Sequence, residues 1–436
     1  MHALQRQFLI TFAAMGAILA YLPLLLQQRL DSTAEVGIIL ATTGLAIIST
    51  PVIMTALADT KLQSRSIIVV LFTVAAGTCA WQAVSYSFIG LFISHTVFAF
   101  FFWPLAALQD GLVFADNQQA ASEGRAETPY HRVRVYGTVG FALPLAGLYF
   151  LIGPGEGKDV SVALWLGGGV CALGAVNALT LPRIRYGQAR QARFNEVGQA
   201  SSLSSASSHD RQDACPTENK LSRFPTLAAA KVLFRGPALL FCLCLFIAHI
   251  GNSAYYGFYS IYLTDTVGFA EAWVGPITML GVVLELGVMA AVGVMTAKYG
   301  LKRVIVFGLG VMSLRFALLG LFPNQHIAVW TQVLHGITVI AIYVVPPIYL
   351  NALAGDHFRS SIQGLYAMTV FGTSRIAGNI LGGVLGNEPN GASLPLMFNI
   401  FAVTTAIAVV GLIVFMRLPG EIMDDARDVP AMVEGD

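Results

Sequence analysis

Charged residues are scarce in this chain. Of its 436 residues, 11% are Asp, Glu, Lys or Arg, whereas a soluble protein typically carries about 25%. Hydrophobic residues make up 56%, and the mean hydropathy is +0.69. A soluble fold of this length could not bury that much apolar surface, so the composition predicts that a lipid bilayer surrounds most of the chain. The net charge of +1 gives no indication of a nucleic-acid partner.

Cysteine is also rare, with five in the whole chain. Four fall in apolar stretches (Cys79, Cys171, Cys242 and Cys244) and Cys215 falls in a hydrophilic stretch. Their number and spacing indicate neither a disulfide framework nor a metal site, so we predict five reduced packing residues. The spans and loops also lack a His-x-x-x-His, Gly-x-Ser-x-Gly or P-loop pattern, which argues against a membrane-embedded enzyme. We therefore predict neither a metal nor a cofactor.

Long apolar runs are abundant. A membrane-spanning helix needs roughly 20 mostly apolar residues. Twelve stretches meet this condition: 7–28, 34–57, 65–86, 88–115, 131–152, 160–182, 236–264, 271–297, 301–322, 326–352, 360–387 and 392–417. The chain is predicted to be an all-α membrane protein with twelve transmembrane helices in two six-helix bundles.

The hydrophilic stretch 183–235, with its serine-rich run Ser201–Ser208, divides these spans six and six. Its composition is typical of a flexible linker. The domain prediction is therefore a first bundle at 1–182, a linker at 183–235, a second bundle at 236–417 and a tail at 418–436. Most Lys and Arg residues fall in the linker, the tails and alternate loops, which by the positive-inside rule predicts that both termini are cytoplasmic.

Four charged residues lie inside the apolar stretches: Asp110, Glu285, Arg315 and Arg375. A charge in hydrocarbon costs at least about 2.5–3.5 kcal/mol, so such residues usually face a polar cavity or one another. A carboxyl group in a medium of low dielectric takes up a proton more readily than one in water. Two acids and two bases, with His335 among them, therefore indicate a proton-coupled pathway.

Three local runs carry a family resemblance: Arg132–Phe141 at the start of the fifth span, Leu314–Leu318 in the ninth, and Leu334–Gly336 in the tenth. They resemble the major facilitator superfamily, and within it the proton symporters that include the lactose, phenylpropionate and nucleoside permeases. The resemblance covers nearly the whole chain. An acid that these symporters carry in the tenth span is absent, because Thr338 and Ile340 stand where it would fall.

The resemblance implies roles for individual residues. The position of Arg134 binds substrate and pairs with an acid, which here is Asp110. Thr138 and Phe141 match positions that line the nucleoside cavity. Glu285, Arg315 and His335 match the groups of the proton site, and His335 is a candidate substrate donor as well. From its depth in the seventh span, Asn252 is a further candidate donor to substrate.

Structural alternatives stand beside these roles. Glu285 and Arg315 could form an ion pair that only fixes helices, and Asp110 with Arg134 could form an interfacial pair that reaches the cytoplasm. His335 could be a core residue. Arg375 could bind an anionic substrate group or pair with a distant carboxylate. Tyr259 and Tyr262 are predicted to belong to an interfacial aromatic belt, and His95 and His249 have no match in the resembling families.

The resulting prediction is a proton-coupled secondary transporter that moves a small polar solute, with a nucleoside favoured, across the cytoplasmic (inner) membrane. The alternatives are a symporter for a sugar or aromatic acid, and a transport-inactive sensor with the same fold. The predicted partners are the solute, a proton and the lipid bilayer, with no nucleic acid, and the protein is predicted to be a monomer.

Overall fold

A computed structural model describes residues 3–60, 63–126, 130–182, 225–354, 359–387 and 393–416. Most of the predicted linker, with Cys215, and the predicted tail at 418–436 lie outside these ranges. Every regular element among the described residues is helical. The four described cysteines have free thiols.

The first half of the chain forms six long helices, two of which are interrupted. They are α1 (Ala3–Leu19 and Leu22–Arg29), α2 (Thr33–Thr60), α3 (Ser64–Val84), α4 (Phe88–Phe102 and Pro104–Ser122), α5 (Tyr130–Ile152) and α6 (Ser161–Ala178). Both interruptions precede a proline, Pro23 in α1 and Pro104 in α4. Proline lacks a backbone N–H and fits the first turn of a new helical segment.

The second half repeats the plan after a short helix, Pro225–Leu233. Its helices are α7 (Gly236–Ile261, extended by the π-turn Tyr262–Thr266), α8 (Val274–Tyr299), α9 (Leu301–Leu321), α10 (segments from Gln325–Trp330 to Val345–Ala354), α11 (Arg359–Tyr366 and Thr373–Leu385, joined by the π-turn Ala367–Gly372) and α12 (Leu394–Phe415).

Among the described residues, 11 helices are long and apolar enough to cross a membrane. The predicted span at 360–387 is helical as α11 but is not one of them, and it carries the polar residues Arg375 and Asn379. In α10 a π-turn at Ile340–Val344 comes just before Pro346 and Pro347. Pro346 and Pro347 have no backbone N–H, so two α-helical hydrogen bonds cannot form there, and the backbone adopts a π-turn instead.

Glycines let helices approach closely in both halves. A Cβ on Gly16 or Gly140 would lie 2.2 Å from a backbone oxygen of the facing helix, so α1 and α5 cross in backbone contact. In the second half a Cβ on Gly378 of α11 would lie 2.4 Å from the Ile250 oxygen of α7. These are the first and fifth helices of each half, and small residues at such crossings are typical of membrane helix packing.

We define the terminal face as the membrane face where α1 begins and α12 ends, and the opposite face as that of the α1–α2 turn. Hydrogen bonds between the halves cluster towards the opposite face. The Gly275 amide of α8 donates to the Tyr21 hydroxyl at 2.8 Å, and the Asn379 amide of α11 donates to the Leu40 carbonyl at 3.1 Å. The halves are therefore closed against each other on that side.

Candidate functional site

A buried arginine organises the second half. Arg315 of α9 is 2% exposed, and its guanidinium lies 4.2 Å from the centroid of the Tyr255 ring. Its Nη1 bonds the Nδ1 of His335 at 3.0 Å, and its Nη2 donates to the Gln332 side-chain oxygen at 3.1 Å and to the Tyr255 hydroxyl. Arginine only donates, so His335 Nδ1 is the acceptor. A neutral His335 therefore carries its proton on Nε2.

Glu285 of α8 lies on the other side of this histidine. Its Oε2 is 3.8 Å from His335 Nε2, and its side chain is 22% exposed. The Tyr256 hydroxyl is also near Nε2, at 3.5 Å. A direct Glu285–Arg315 ion pair, which the sequence left open, is therefore not formed, because His335 stands between the two groups. Glu285, His335 and Arg315 form a row that runs from the partly exposed Glu285 to the buried Arg315.

Three predicted residues of the first half share one face of α5. Arg134, Thr138 and Phe141 are spaced by four and three residues, which places them on one side of a helix. All three are partly exposed. The Arg134 guanidinium lies 4.3 Å from the centroid of the Phe12 ring.

Asp110 does not make the predicted direct pair with Arg134. Its Oδ1 accepts a hydrogen bond from the Tyr130 hydroxyl at 2.9 Å, and no nitrogen of Arg134 lies within 4.0 Å of its carboxylate. That prediction is wrong for this conformation. Tyr130 takes the position because it begins α5 and stacks on Phe114 of α4, with ring centroids 5.2 Å apart.

Arg134 nevertheless lies within electrostatic range of two carboxyl groups, Asp110 in the first half and Glu285 in the second. Arg134 therefore lies near one acid of each half. Asn252, predicted to contact a solute, is 6% exposed, and its amide donates to the Tyr343 hydroxyl at 2.9 Å. The donor is thus already engaged by a neighbouring helix.

The structure overturns the predicted aromatic belt. Tyr259 is 5% exposed and Tyr262 is fully buried. Their hydroxyls donate to the backbone carbonyls of Ala328 and Leu319, each at 2.8 Å. Both side chains therefore hold α7 against its neighbours in the second half instead of facing the membrane interface.

A second polar cluster was not assembled from the sequence. Arg375 of α11 lies with its guanidinium 5.2 Å from the centroid of the Trp103 ring, at the break in α4. It is within electrostatic range of His95 and His249, which are 1% and 2% exposed. Arg375, His95 and His249 are each recognisable in the sequence as an ionisable residue in an apolar span. Their separation along the chain does not predict that they lie close together. Their proximity depends on the packing of α4, α7 and α11.

One cavity of about 570 Å³ lies elsewhere, within the first half at the terminal face. Asp116, Asn117, Arg125 and Arg132 contribute to its lining, and it contains none of the predicted site residues. Among the described residues, no group of three or more His, Cys, Asp or Glu side chains could hold a metal ion.

The similarity to known proteins extends over nearly the whole chain. A family model described as the MFS_1-like family matches residues 1–417. YegT of Escherichia coli (strain K12), described as a candidate nucleoside transporter, is 25% identical over 442 residues, covering 97% of this chain and 95% of that protein. The xanthosine permease of the same organism is 23% identical over 371 residues, covering 80% and 79%.

Solved structures share the fold. The nucleoside transporter NupG superposes with a TM-score of 0.76 at 16% identity, covering 95% of this chain and 98% of that chain. A proton-dependent oligopeptide transporter superposes with a TM-score of 0.66 at 14% identity, covering 96% and 98%. The twelve-helix arrangement described above is thus the one these transporters have.

Proposed function

Because the chain belongs to the MFS_1-like family of the major facilitator superfamily, we propose that this multi-pass membrane transporter carries a nucleoside together with a proton. Relatives named as transporters of nucleosides and of xanthosine support the substrate class. One observation of the geometry carries the proposal: Arg134 of the first half lies within electrostatic range of Glu285, the first member of the Glu285–His335–Arg315 row of the second half.

The first half would supply most contacts to the substrate. Arg134 offers a planar set of donors, and Asp110 offers acceptors for hydroxyl groups. Thr138 and Phe141 lie on the same face of α5 as Arg134, and an aromatic ring can pack against a flat base. From the second half, Asn252 and His335 would complete the contacts, with Asn252 exchanging its bond to Tyr343 for one to the solute.

Glu285 is the group best placed to carry the proton. Arg315 cannot give up its proton. His335 cannot take a second proton without losing its bond from Arg315 and placing two cations 3.0 Å apart. Glu285 can be protonated without breaking any such bond, and neutral Glu285 lowers the electrostatic cost of moving the loaded site through the bilayer. The Nε2 proton of His335 would then stabilise the ionised form after release.

The conformation agrees with alternating access, in which one half rocks against the other. The halves meet at the opposite face, where Gly383 and Thr33 are in backbone contact. Towards the terminal face α8 is largely uncovered, with Leu286 42% and Val294 69% exposed. We further propose that both termini are cytoplasmic, as the basic loops indicate, so that this conformation would be closed to the outside. The protein would act in the inner membrane as a monomer.

The test is uptake of radiolabelled nucleosides by proteoliposomes under an imposed pH gradient. We expect Glu285→Gln to abolish accumulation against a gradient while retaining exchange of internal for external nucleoside, because the neutral amide mimics the protonated acid. Glu156→Gln, at an exposed residue of the α5–α6 turn, is the matched control and should accumulate normally. Full pH-driven accumulation by Glu285→Gln would refute the role of Glu285.

The same assay separates the alternatives. Accumulation of sugars or aromatic acids, with none of nucleosides, would replace the substrate class while keeping the transporter. Binding of a nucleoside without any transport would indicate the inactive sensor.

A further inference from the structure

Arg375 is a cation without a countercharge. No carboxylate oxygen lies within 4.0 Å of its guanidinium among the described residues. Its neighbours are the Trp103 ring, two tyrosine phenols (Tyr256 and Tyr343) and the imidazoles of His95 and His249. A buried charge usually has a partner of opposite sign, since an isolated charge in a medium of low dielectric is costly. Among the described residues the protein provides no anionic partner for Arg375, so the site could accept a ligand that is anionic or rich in hydrogen-bond acceptors.

The cluster spans the boundary between the halves. His95 and Trp103 belong to α4 in the first half, whereas His249 lies on α7 and Arg375 on α11 in the second. A Cβ on Gly44 of α2 would lie 2.5 Å from the Gly372 oxygen of α11, so the two halves are in backbone contact one helical turn from Arg375. A ligand at this cluster would contact both halves at once, as a transported solute must.

Several polar atoms of the cluster are unused. His95 Nδ1, His249 Nε2 and Arg375 Nε are each buried and have no hydrogen-bond partner among the described residues. The opposite nitrogen of His95, Nε2, is 3.1 Å from the Thr43 hydroxyl, which fixes the orientation of the ring. A buried polar atom left unpaired costs about 1–3 kcal/mol. Core packing explains one such atom more easily than three around the same arginine.

Arg375 is less completely enclosed by the protein than Arg315. Its side chain retains exposed surface, whereas Arg315 is 2% exposed and bonded on both terminal nitrogens. Two arginines of one half, on α9 and α11, thus have different surroundings. Arg315 is held in place by the protein, and Arg375 is free to be held by a ligand.

We propose that Arg375, Trp103, His95 and His249 form the subsite that recognises the base of the substrate, and that this base is an oxopurine. The proposal rests on the proposed function and deepens it. A guanidinium donates two parallel bonds to the adjacent O6 and N7 acceptors of an oxopurine. An aminopurine presents an NH2 donor at that edge, which opposes the guanidinium. Trp103 offers a ring on which the flat base stacks, and the imidazoles accept from or donate to its remaining edge.

The cluster favours a base that carries negative charge, because Arg375 then gains its missing countercharge. Among natural nucleosides xanthosine meets this condition, since its base ionises near neutral pH. Guanosine and inosine present the same two acceptors without the charge and should bind more weakly. Adenosine and cytidine present the amino group and should bind least.

The experiment measures the affinity of purified protein in detergent for xanthosine, guanosine and adenosine by isothermal titration calorimetry. For Arg375→Gln we expect the Kd for xanthosine to rise at least 10-fold and the Kd for adenosine to change less than 2-fold. Trp103→Ala should weaken all three nucleosides, because stacking does not read the edge of the base. Arg29→Gln is the matched control, since Arg29 also lies over an aromatic ring, that of Tyr86 at 3.7 Å, but near the opposite face.

Folding of each variant is checked by its melting temperature and gel-filtration profile. If Arg375→Gln does not fold, Arg375→Lys and His249→Gln replace it, because lysine keeps the charge but loses the two-pronged geometry. The lysine variant should retain its preference for xanthosine over guanosine and lose that for guanosine over adenosine. Proteoliposome uptake of the same nucleosides should follow the order of affinities.

An equal loss of affinity for all three nucleosides in Arg375→Gln, or no loss at all, would overturn the oxopurine subsite and leave nucleoside transport standing. A wild-type protein that binds adenosine as tightly as xanthosine would do the same. A wild-type protein that neither binds nor transports any nucleoside would overturn the proposed function and this inference together.

Discussion

At the residue scale, His335 has a single protonation state compatible with its contacts. Its Nδ1 accepts from Arg315, so the proton of the neutral ring must sit on Nε2, facing Glu285. His335 therefore links Arg315, which is always charged, to Glu285, which can be protonated, while the imidazole itself stays neutral. α10 has no acid near this histidine, and Thr338 donates a hydrogen bond from its hydroxyl to the His335 carbonyl at 2.7 Å.

A pair of substitutions at His335 tests this assignment. Asn places an oxygen where Nδ1 stands, so His335→Asn should keep the bond from Arg315 and melt close to the wild-type temperature. Phe offers no acceptor, so His335→Phe should lose about 1–3 kcal/mol of stability because a buried charged donor is left unpaired. Both are measured by thermal unfolding in detergent.

The matched control is His326→Phe, at an exposed position just before the buried part of α10. It should leave the melting temperature unchanged. If His335→Phe melted as high as His335→Asn, the Arg315–His335 bond would have no structural importance and the proton assignment would fail.

At the scale of elements, both halves depend on helices that cross in backbone contact. The α1–α5 crossing is made by Gly16 and Gly140, and the α7–α11 crossing by Gly378. Since lipid chains are as apolar as leucine, such crossings hold through close packing and not through the hydrophobic effect. The α1–α5 crossing also fixes the height of Arg134, Thr138 and Phe141, because these residues lie on α5 beside Gly140.

Gly140→Ala should therefore destabilise the first half. The added Cβ would lie 2.2 Å from the Leu9 oxygen, a backbone atom that cannot move aside. We expect a loss of about 1–3 kcal/mol, the usual range for overpacking, together with weaker nucleoside binding because α5 is displaced.

Gly147→Ala on the same helix is the control, since nothing lies within 4 Å of its added Cβ. It should be neutral or slightly stabilising, as alanine favours a helix more than glycine does. Equal melting temperatures for the two variants would show that the α1–α5 contact is not as close as described.

At the scale of the whole molecule, the contact between the halves extends from the opposite face to the middle of α2 and α11, where Gly44 meets Gly372. Tyr21 accepts from the Gly275 amide, and the Glu271 carboxylate accepts from the Gly157 amide at 2.9 Å, both near the opposite face. Gly383 of α11 lies directly against Thr33 and Gly37 of α2. These contacts must separate when the molecule opens to that face, so they set the stability of the closed form.

Disrupting one of these contacts between the halves should shift the equilibrium from the form closed at the opposite face to the form open at that face. A Cβ on Gly383 would lie 2.6 Å from the Thr33 oxygen, so Gly383→Val should separate the halves at the opposite face. We expect spin-label distances across that face to increase, and net uptake to fall at least 10-fold while nucleoside binding persists.

Gly169→Val on α6, where nothing lies within 4 Å, should change neither the distances nor the uptake. Unchanged distances in Gly383→Val would mean that this glycine contact does not hold the halves together.

The sequence predicts the architecture well because each feature it uses is local. Long apolar runs and basic loops predict the helices and their topology. Three local runs of residues indicate the family, and the resemblance together with the charges in the spans singles out Glu285, Arg315 and His335. The partners of those residues depend on helix rotation and depth. Tyr130 in place of Arg134 beside Asp110, the burial of Tyr259 and Tyr262, and the meeting of Arg375 with Trp103 all follow from packing across helices, which periodicity does not encode.

The missing countercharge of Arg375 has an electrical consequence. A neutral nucleoside that moves inward with one proton carries a net positive charge across the bilayer, and a membrane potential of 100 mV contributes about 2.3 kcal/mol to that movement. An ionised oxopurine that moves with one proton carries no net charge, and voltage contributes nothing. By selecting a neutral or an ionised base, Arg375 of α11 would thus determine whether uptake of that substrate is driven by the membrane potential and the pH gradient or by the pH gradient alone.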